Sequence, residues 1–319
     1  MEIRDPRASV NDGIDRRGML KCMAWVGTGL VWGLGGGVPA ARLLGQEPKK
    51  AGPNEFTFVQ ISDSHIGFSK APNQDVIGTL KATVARINAQ PQPPAFVLHT
   101  GDLTHLAKPE EFDTVAEIIK SIKTGAVLCV PGEHDFDADN NKGYLERFGK
   151  NTRGTGYYSF DYKGTHFVGL VNVANAKSGS PSEGLGKIGE EQLDWLAKDV
   201  AGVADSTPVV LFAHVPLWMV YEKWGWGTQD GERAFGLLKR FGSLTVLNGH
   251  IHQVMQKTEG RAIFHTARST AFPQSEPGKG TPGPMRDLPA GRLRGALGLT
   301  KVSYVERESP LAIVDSTLE

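Results

Sequence analysis

From residue 55 onward, apolar and polar positions fall into blocks that read as strand, loop and helix, repeated. Residues 56–62 are rich in β-branched and aromatic side chains and predict a buried strand. Residues 76–89 have helical periodicity, 95–100 predict a second strand, 110–123 a second helix and 126–130 a third strand. Such alternation implies a parallel sheet with helices on its faces. The middle of the chain changes character: 157–162 and 165–173 are strand-like runs separated by Lys163 and Gly164, a hairpin signal. A helix over 189–200, a strand over 208–213, a helix over 231–241 and a strand over 244–247 follow. Residues 274–299 hold many Gly and Pro without a period and predict a long surface loop. The runs 301–305 and 311–314 are expected to close the fold as strands. No internal repeat appears. The sum is an α/β architecture of two mixed sheets packed face to face with helices outside, over one domain at 52–319.

The first 45 residues follow a different pattern. Residues 15–21 contain Arg16 and Arg17 and resemble the twin-arginine export motif. A short, Gly-diluted apolar stretch follows at 23–38, then Pro39, Ala40 and Ala41, where a signal peptidase could cut. A membrane span needs about 20 apolar residues, so a cleaved or weakly anchoring signal is expected at 1–45, with a polar linker after it. An amphipathic leader helix and an uncleaved anchor are the alternatives. Cys22 precedes the apolar run, which argues against a lipoprotein. The resemblance implies the twin-arginine machinery as partner, a periplasmic or extracellular location, and no stable membrane span after cleavage. That route carries proteins already folded.

Composition adds exclusions. Lys plus Arg and Asp plus Glu both number 35 in 319 residues, so no net field draws nucleic acid or an anionic membrane. Cys129 is the one cysteine beyond the leader and lies in an apolar run, so a buried, inert thiol is expected and no intramolecular disulfide can form.

The chemistry lies at the strand ends, where α/β sheets place their ligands. The first strand is followed by Asp63 and His65, which strand alternation would point the same way. The second is followed by Gly101, Asp102 and His105, and the third by Gly132, Glu133, His134 and Asp135. Later strands lead to His214, and to Gly249, His250 and His252. Each short string alone reads as a surface pair or a turn. Five in order, each after an apolar strand, point to a shared metal site. Mixed carboxylate and imidazole donors suit Mn, Fe, Zn or Co better than Ca or Mg. Two such cations could clamp a phosphate and lower the pKa of a water between them.

In order and spacing these residues resemble the calcineurin-like metallophosphoesterase superfamily, over residues 55–266. The resemblance implies the four-layer α-β-β-α metallo-dependent phosphatase fold and two divalent metal ions. Asp63, His65 and His252 would bind the first, Asp102 would bridge, and His214 and His250 would bind the second. His134 would be the catalytic imidazole and Asp135 would orient it. The implied activity is hydrolysis of a small phosphate-ester substrate. A phosphodiester is preferred because the Asp-x-His and Gly-Asp-Leu-Thr strings resemble those of class III cyclic nucleotide phosphodiesterases. A broad exported phosphomonoesterase and a non-catalytic metal-binding envelope protein are the alternatives.

One position departs from the pattern: Glu133 stands where the family has Asn. Two divalent cations, Asp63, Asp102 and a bridging hydroxide leave one positive unit with Asn, and none with ionised Glu133. Glu133 is expected to join the second metal, raising its affinity and weakening attraction for a dianion. A Glu that swings away and leaves water as ligand, and a weakened enzyme, are the alternatives. His99 is expected in the core or behind the ligands, and His166 and His265 as strand residues without function. His105 could touch substrate phosphate or a carboxylate behind the ligands. Trp218, with Tyr221, Trp224 and Trp226, could form a stacking wall or cover a core edge, and Arg268 could bind phosphate or sit in a surface ion pair. Residues 172–189, with Lys177, Ser178 and Ser180, would form a second rim.

Overall fold

The computed structural model describes residues 29–31, 42–44, 54–136, 141–173, 185–289, 291–305 and 311–319. The chain divides into two units, Met1–Ala51 and Gly52–Glu319. In the first, β1 (Gly29–Val31) pairs antiparallel with β2 (Arg42–Leu44). The expected leader otherwise lies outside the described residues. Among those described, no helix is long and apolar enough to cross a membrane.

The second unit contains two sheets. In the first, β3 (Phe56–Ile61), β4 (Val97–His99) and β5 (Val127–Cys129) run parallel. On the other side of β3, β12 (Gly298–Tyr304) and β13 (Ala312–Thr317) add antiparallel, giving the order β13-β12-β3-β4-β5. The second sheet has the order β10-β11-β9-β8-β7-β6. Its parallel centre is β7 (Thr165–Gly169), β8 (Val209–Phe212), β9 (Leu244–Asn248) and β11 (Ala262–Thr266). Its antiparallel edges are β6 (Tyr158–Tyr162) and β10 (Gln256–Glu259).

Three apolar layers hold these elements. Between the sheets, Phe58 stacks on Phe96 at 5.1 Å, and Phe167 meets both edge-on at 5.5 and 5.2 Å. Burying such a ring contributes about 1.5–3 kcal/mol. On the outer face of the first sheet lie α1 (Val76–Asn88), α2 (Pro109–Lys120) and α3 (Lys142–Phe148). In α1, Val76, Leu80, Val84 and Ile87 form the buried stripe, and Asp75 caps the helix by accepting from the Gly78 amide. On the outer face of the second sheet lie α4 (Glu190–Val200) and α5 (Gly231–Leu238). The result is helices, sheet, sheet, helices.

In the second unit, α3 and β10 escaped the reading of the pattern, and β11 was read only through His265 as a strand residue. β10 is polar and half exposed, so it lacks the apolar signature, and it pairs with β11 through a two-residue Gly260-Arg261 turn. The long loop expected over 274–299 also holds a short helix, α6 (Leu293–Ala296), and the start of β12.

Candidate metal centre

All the ligand-type side chains come from loops at the C-terminal ends of parallel strands. β3 leads to Asp63 and His65, β4 to Asp102 and His105, β5 to Glu133 and His134, β8 to His214, and β9 to His250 and His252. The Asp63–His65 pair is aimed differently from the strand alternation expected. β3 ends at Ile61, and both residues have positive φ, 55° and 42°. Asp102, His250 and His252 share that left-handed backbone, at 53°, 69° and 54°. It costs a non-glycine residue about 1–2 kcal/mol, so five instances in one place mark a site where surrounding structure overrides local preference. The override is visible. The loops after β3 and β4 stay paired beyond their strands, through the Asp63 amide to the Gly101 carbonyl and the His65 amide to the Asp102 carbonyl, both 2.9 Å.

The donor atoms form two sets around Asp102. In the first, Nε2 of His65 lies 3.2 Å from Nε2 of His252 and 3.4 Å from Oδ2 of Asp102, and Nε2 of His252 lies 3.2 Å from Oδ1 of Asp63. In the second, Oε2 of Glu133 is 2.9 Å from Nε2 of His214, and Oε1 is 2.8 Å from Nδ1 of His250. Oδ2 of Asp102 is 3.3 Å from Nε2 of His214, so one carboxylate oxygen serves both sets. Within Asp63, His65, Asp102 and His252, and within Glu133, His214 and His250, one ligand atom per residue lies within 4.8 Å of the others.

The donors fit divalent cations. Oδ2 of Asp63, Oε2 of Glu133, Nε2 of His214 and both ring nitrogens of His250 are buried without a hydrogen-bond partner. Glu133 and His214 are close in distance but not aligned on each other, as expected of donors aimed at a third point. Tautomers agree: Nδ1–H of His214 donates to the Thr100 carbonyl at 2.7 Å and Nδ1–H of His252 to the Phe272 carbonyl at 2.6 Å, leaving each Nε2 a free lone pair. Such a site concentrates negative charge. Burial pushes the His214 pKa down, but Asp102 and Glu133 outweigh it and hold the group well above its ordinary value. Burial raises Glu133, yet His250 and His214 pull it well below the usual carboxylate range. The side chains of Glu133 and His250 keep 19% and 11% exposure, so the second set opens to solvent while Asp63 is fully enclosed.

His134 sits beside both sets. Its amide donates to Oδ1 of Asp102 at 3.0 Å, and its ring Nδ1–H donates to the His105 carbonyl at 2.8 Å. Burial lowers its pKa, but Asp102 and Glu133 prevail and raise it. Asp135 does not orient this ring, contrary to expectation. Its carboxylate accepts from the amides of Gly132, Leu103 and Thr104 and from the Thr104 hydroxyl, at 2.8–3.1 Å. The short 3₁₀ turn Glu133–Asp135 points adjacent side chains apart, which is why sequence adjacency misled.

Trp218 and Arg268 take partners outside the donor sets. Trp218 packs with Phe264, 5.5 Å away, in the layer outside the second sheet, which is the core-edge reading. Arg268 runs toward the start of β12, where Nη1 donates to the Ala296 carbonyl at 3.4 Å and its charge acts on Asp315. Trp226 is buried, with Trp224 edge-on at 5.0 Å. Lys177, Ser178 and Ser180 lie outside the described residues. His99 is buried and bonded to Ser64 at 2.7 Å, and His166 and His265 are bonded to aspartates. Cys129 is buried, and burial raises its thiol pKa.

Two supporting residues were not singled out from the sequence. Phe272 packs on the His65 and His252 rings at 4.8 and 4.7 Å. Glu111 reaches back from the first turn of α2 to the amides of His105 and Leu106, 3.3 and 2.8 Å. Glu111 carried no capping signal, because Lys108 at the N-cap makes no side-chain cap bond and the amides that Glu111 reaches lie two and three residues before Lys108. Phe272 had none either.

Known proteins are similar to this chain in sequence and in fold. A glycerophosphodiester phosphodiesterase of Enterobacter lignolyticus is 21% identical over 221 residues, 66% of this chain and 76% of that protein. A Rhodopseudomonas palustris protein described as a probable cyclic nucleotide phosphodiesterase is 25% identical over 161 residues, 50% of this chain and 57% of its own length. In three dimensions, a dimetal phosphatase from Danio rerio superposes with a TM-score of 0.58 at 16% identity, covering 83% of this chain and 96% of that one. Residues 56–254 match the profile of the Calcineurin-like phosphoesterase family, and this chain is therefore a member of that family, a metal-dependent hydrolase of phosphoester bonds.

Proposed function

We propose that the protein hydrolyses phosphodiesters at a dinuclear centre. Asp63, His65 and His252 would hold one cation and Glu133, His214 and His250 the other, with Asp102 placed to serve both sets. The observation that carries this reading is the Oδ2 atom of Asp102, at near-equal distance from Nε2 of His65 and Nε2 of His214. Bound cations supply Lewis acidity, lowering the pKa of water and polarising a phosphoryl oxygen. The chain's residues do the rest. Asp102 fixes the spacing of the two sets. His134, with Nδ1–H tied to the His105 carbonyl, keeps Nε2 for the substrate and donates a proton from it to the leaving oxygen.

The preference for diesters rests on charge. The carboxylate of Glu133 cancels the positive unit that an amide would leave, which disfavours a dianionic monoester more than a monoanionic diester. Relatives named phosphodiesterases support the same choice. The metal-reconstituted protein is expected to turn over bis(p-nitrophenyl) phosphate faster than p-nitrophenyl phosphate. The reverse order would establish a monoesterase, and turnover of neither with both metals bound would establish a binding protein. Location is a further part of the proposal: Arg16 and Arg17 support twin-arginine export, and replacing both by Lys should retain the protein in the cytoplasm.

A further inference from the structure

His105 follows Asp102 by three residues and is held between two functional imidazoles. Its ring stacks on His134, with centroids 4.9 Å apart and planes 14° apart. Its Nδ1 lies 3.3 Å from Nδ1 of His65. Its own backbone is pinned, because the carboxylate of Glu111 accepts from the His105 and Leu106 amides.

The protons on these rings follow from the geometry. Nε2 of His65 faces Asp102 and His252. An imidazole that gives its Nε2 lone pair to a cation carries its proton on Nδ1. That proton needs an acceptor, and histidine ligands ordinarily find it in a carboxylate, a carbonyl or water. His214 and His252 use the carbonyls of Thr100 and Phe272. For His65, the partner facing Nδ1 is another imidazole. His105 then accepts at Nδ1 and carries its own proton on Nε2.

We propose that His105 is a positioning residue that locks His65 in its metal-binding tautomer by accepting the His65 Nδ1–H at its own Nδ1. The proposal rests on the reading of His65 as a ligand of the first cation, and it replaces direct contact with substrate as the reason for His105. The carbonyl of the same residue holds His134, so one residue sets a ligand and a proton donor together.

Cobalt(II) binding to the metal-free full-length protein tests this without any need for turnover. Asn places its side-chain oxygen where His places Nδ1, whereas Gln places its terminal atoms where His places Nε2. His105→Ala and His105→Gln are expected to weaken cobalt affinity at the first site by about 10- to 100-fold. His105→Asn is expected to restore it. Equal affinity in wild type and His105→Ala overturns the proposal, as does equal loss in the Asn and Gln variants. A third cobalt equivalent in wild type that His105→Ala loses would make His105 itself a ligand and also overturn it. Thermal unfolding of the metal-free variants checks folding, and the Asn–Gln comparison decides the matter where Ala does not fold. Normal cobalt binding without phosphoester turnover would remove the proposed function and leave this inference intact.

Discussion

Oε1 of Glu133 lies 2.8 Å from Nδ1 of His250, while its other oxygen lies 2.9 Å from Nε2 of His214. The carboxylate therefore sits within the second donor set and does not swing away from it. Glu133→Asn removes one negative charge there. Second-site metal affinity is expected to fall by at least about tenfold, or about 1.4 kcal/mol. The ratio of kcat/KM for monoester over diester is expected to rise. Metal analysis after dialysis and paired kinetics check both. Unchanged affinity and ratio would place Glu133 outside the metal's reach.

Asp135 joins the loop after β5 to the loop after β4 through three accepted hydrogen bonds, and a fourth, from the Gly132 amide, ties its own loop. Burial, with Asp102 nearby, pushes its pKa up to about 6, and the amides of Gly132, Thr104 and Leu103 pull against that. Asp135→Asn puts an NH₂ group against donors and is expected to cost about 2–4 kcal/mol of stability along with rate. His134→Gln should lose rate while keeping stability. Denaturant unfolding of both variants separates the roles; equal stability would show that Asp135 does not brace these loops.

A Cβ on Gly249 would overlap Oγ of Ser62 and lie 2.7 Å from Oδ2 of Asp63. Gly249→Ala is therefore expected to displace Asp63, cost about 1–3 kcal/mol and lower the metal content. Full metal occupancy with wild-type stability would contradict the close approach.

Trp218→Ala should act on stability alone. The ring packs against Phe264 outside the second sheet, so a loss of about 2–4 kcal/mol is expected, with kcat/KM for both ester types unchanged. A kinetic effect without a stability effect would return Trp218 to the substrate site.

His166 gives the chain a pH-dependent clamp remote from the metals. Nδ1 is 2.8 Å from Asp161 and Nε2 is 2.9 Å from Asp199, so both nitrogens donate and the ring is cationic. The bond to Asp199 raises its pKa above the ordinary 6.5, against burial and with help from Asp161. The stabilisation is fully present below pH 6.5 and is lost as pH rises through the raised folded value. His166→Gln should cost about 1.5–3 kcal/mol at pH 6 and less at pH 9. A penalty independent of pH would mean a neutral ring.

Local sequence determined the strand-helix alternation, the placing of ligand types just past apolar strands, and the departure at Glu133. It did so because strand and helix periodicities and the short turn motifs are properties of neighbouring residues. β10 and α3 stayed hidden because a polar edge strand and a two-turn helix bury too little to leave a period. The destinations of Asp135, Trp218 and Arg268 were decided only in three dimensions: a 3₁₀ turn, a sheet face and a strand's exit direction set where each side chain points. The same holds for Phe272 and for the His105–His65 contact, which join residues whose loops meet only after the sheet has formed. Residue type announces what chemistry is possible, whereas the distances that make it possible arise from loops brought together by packing.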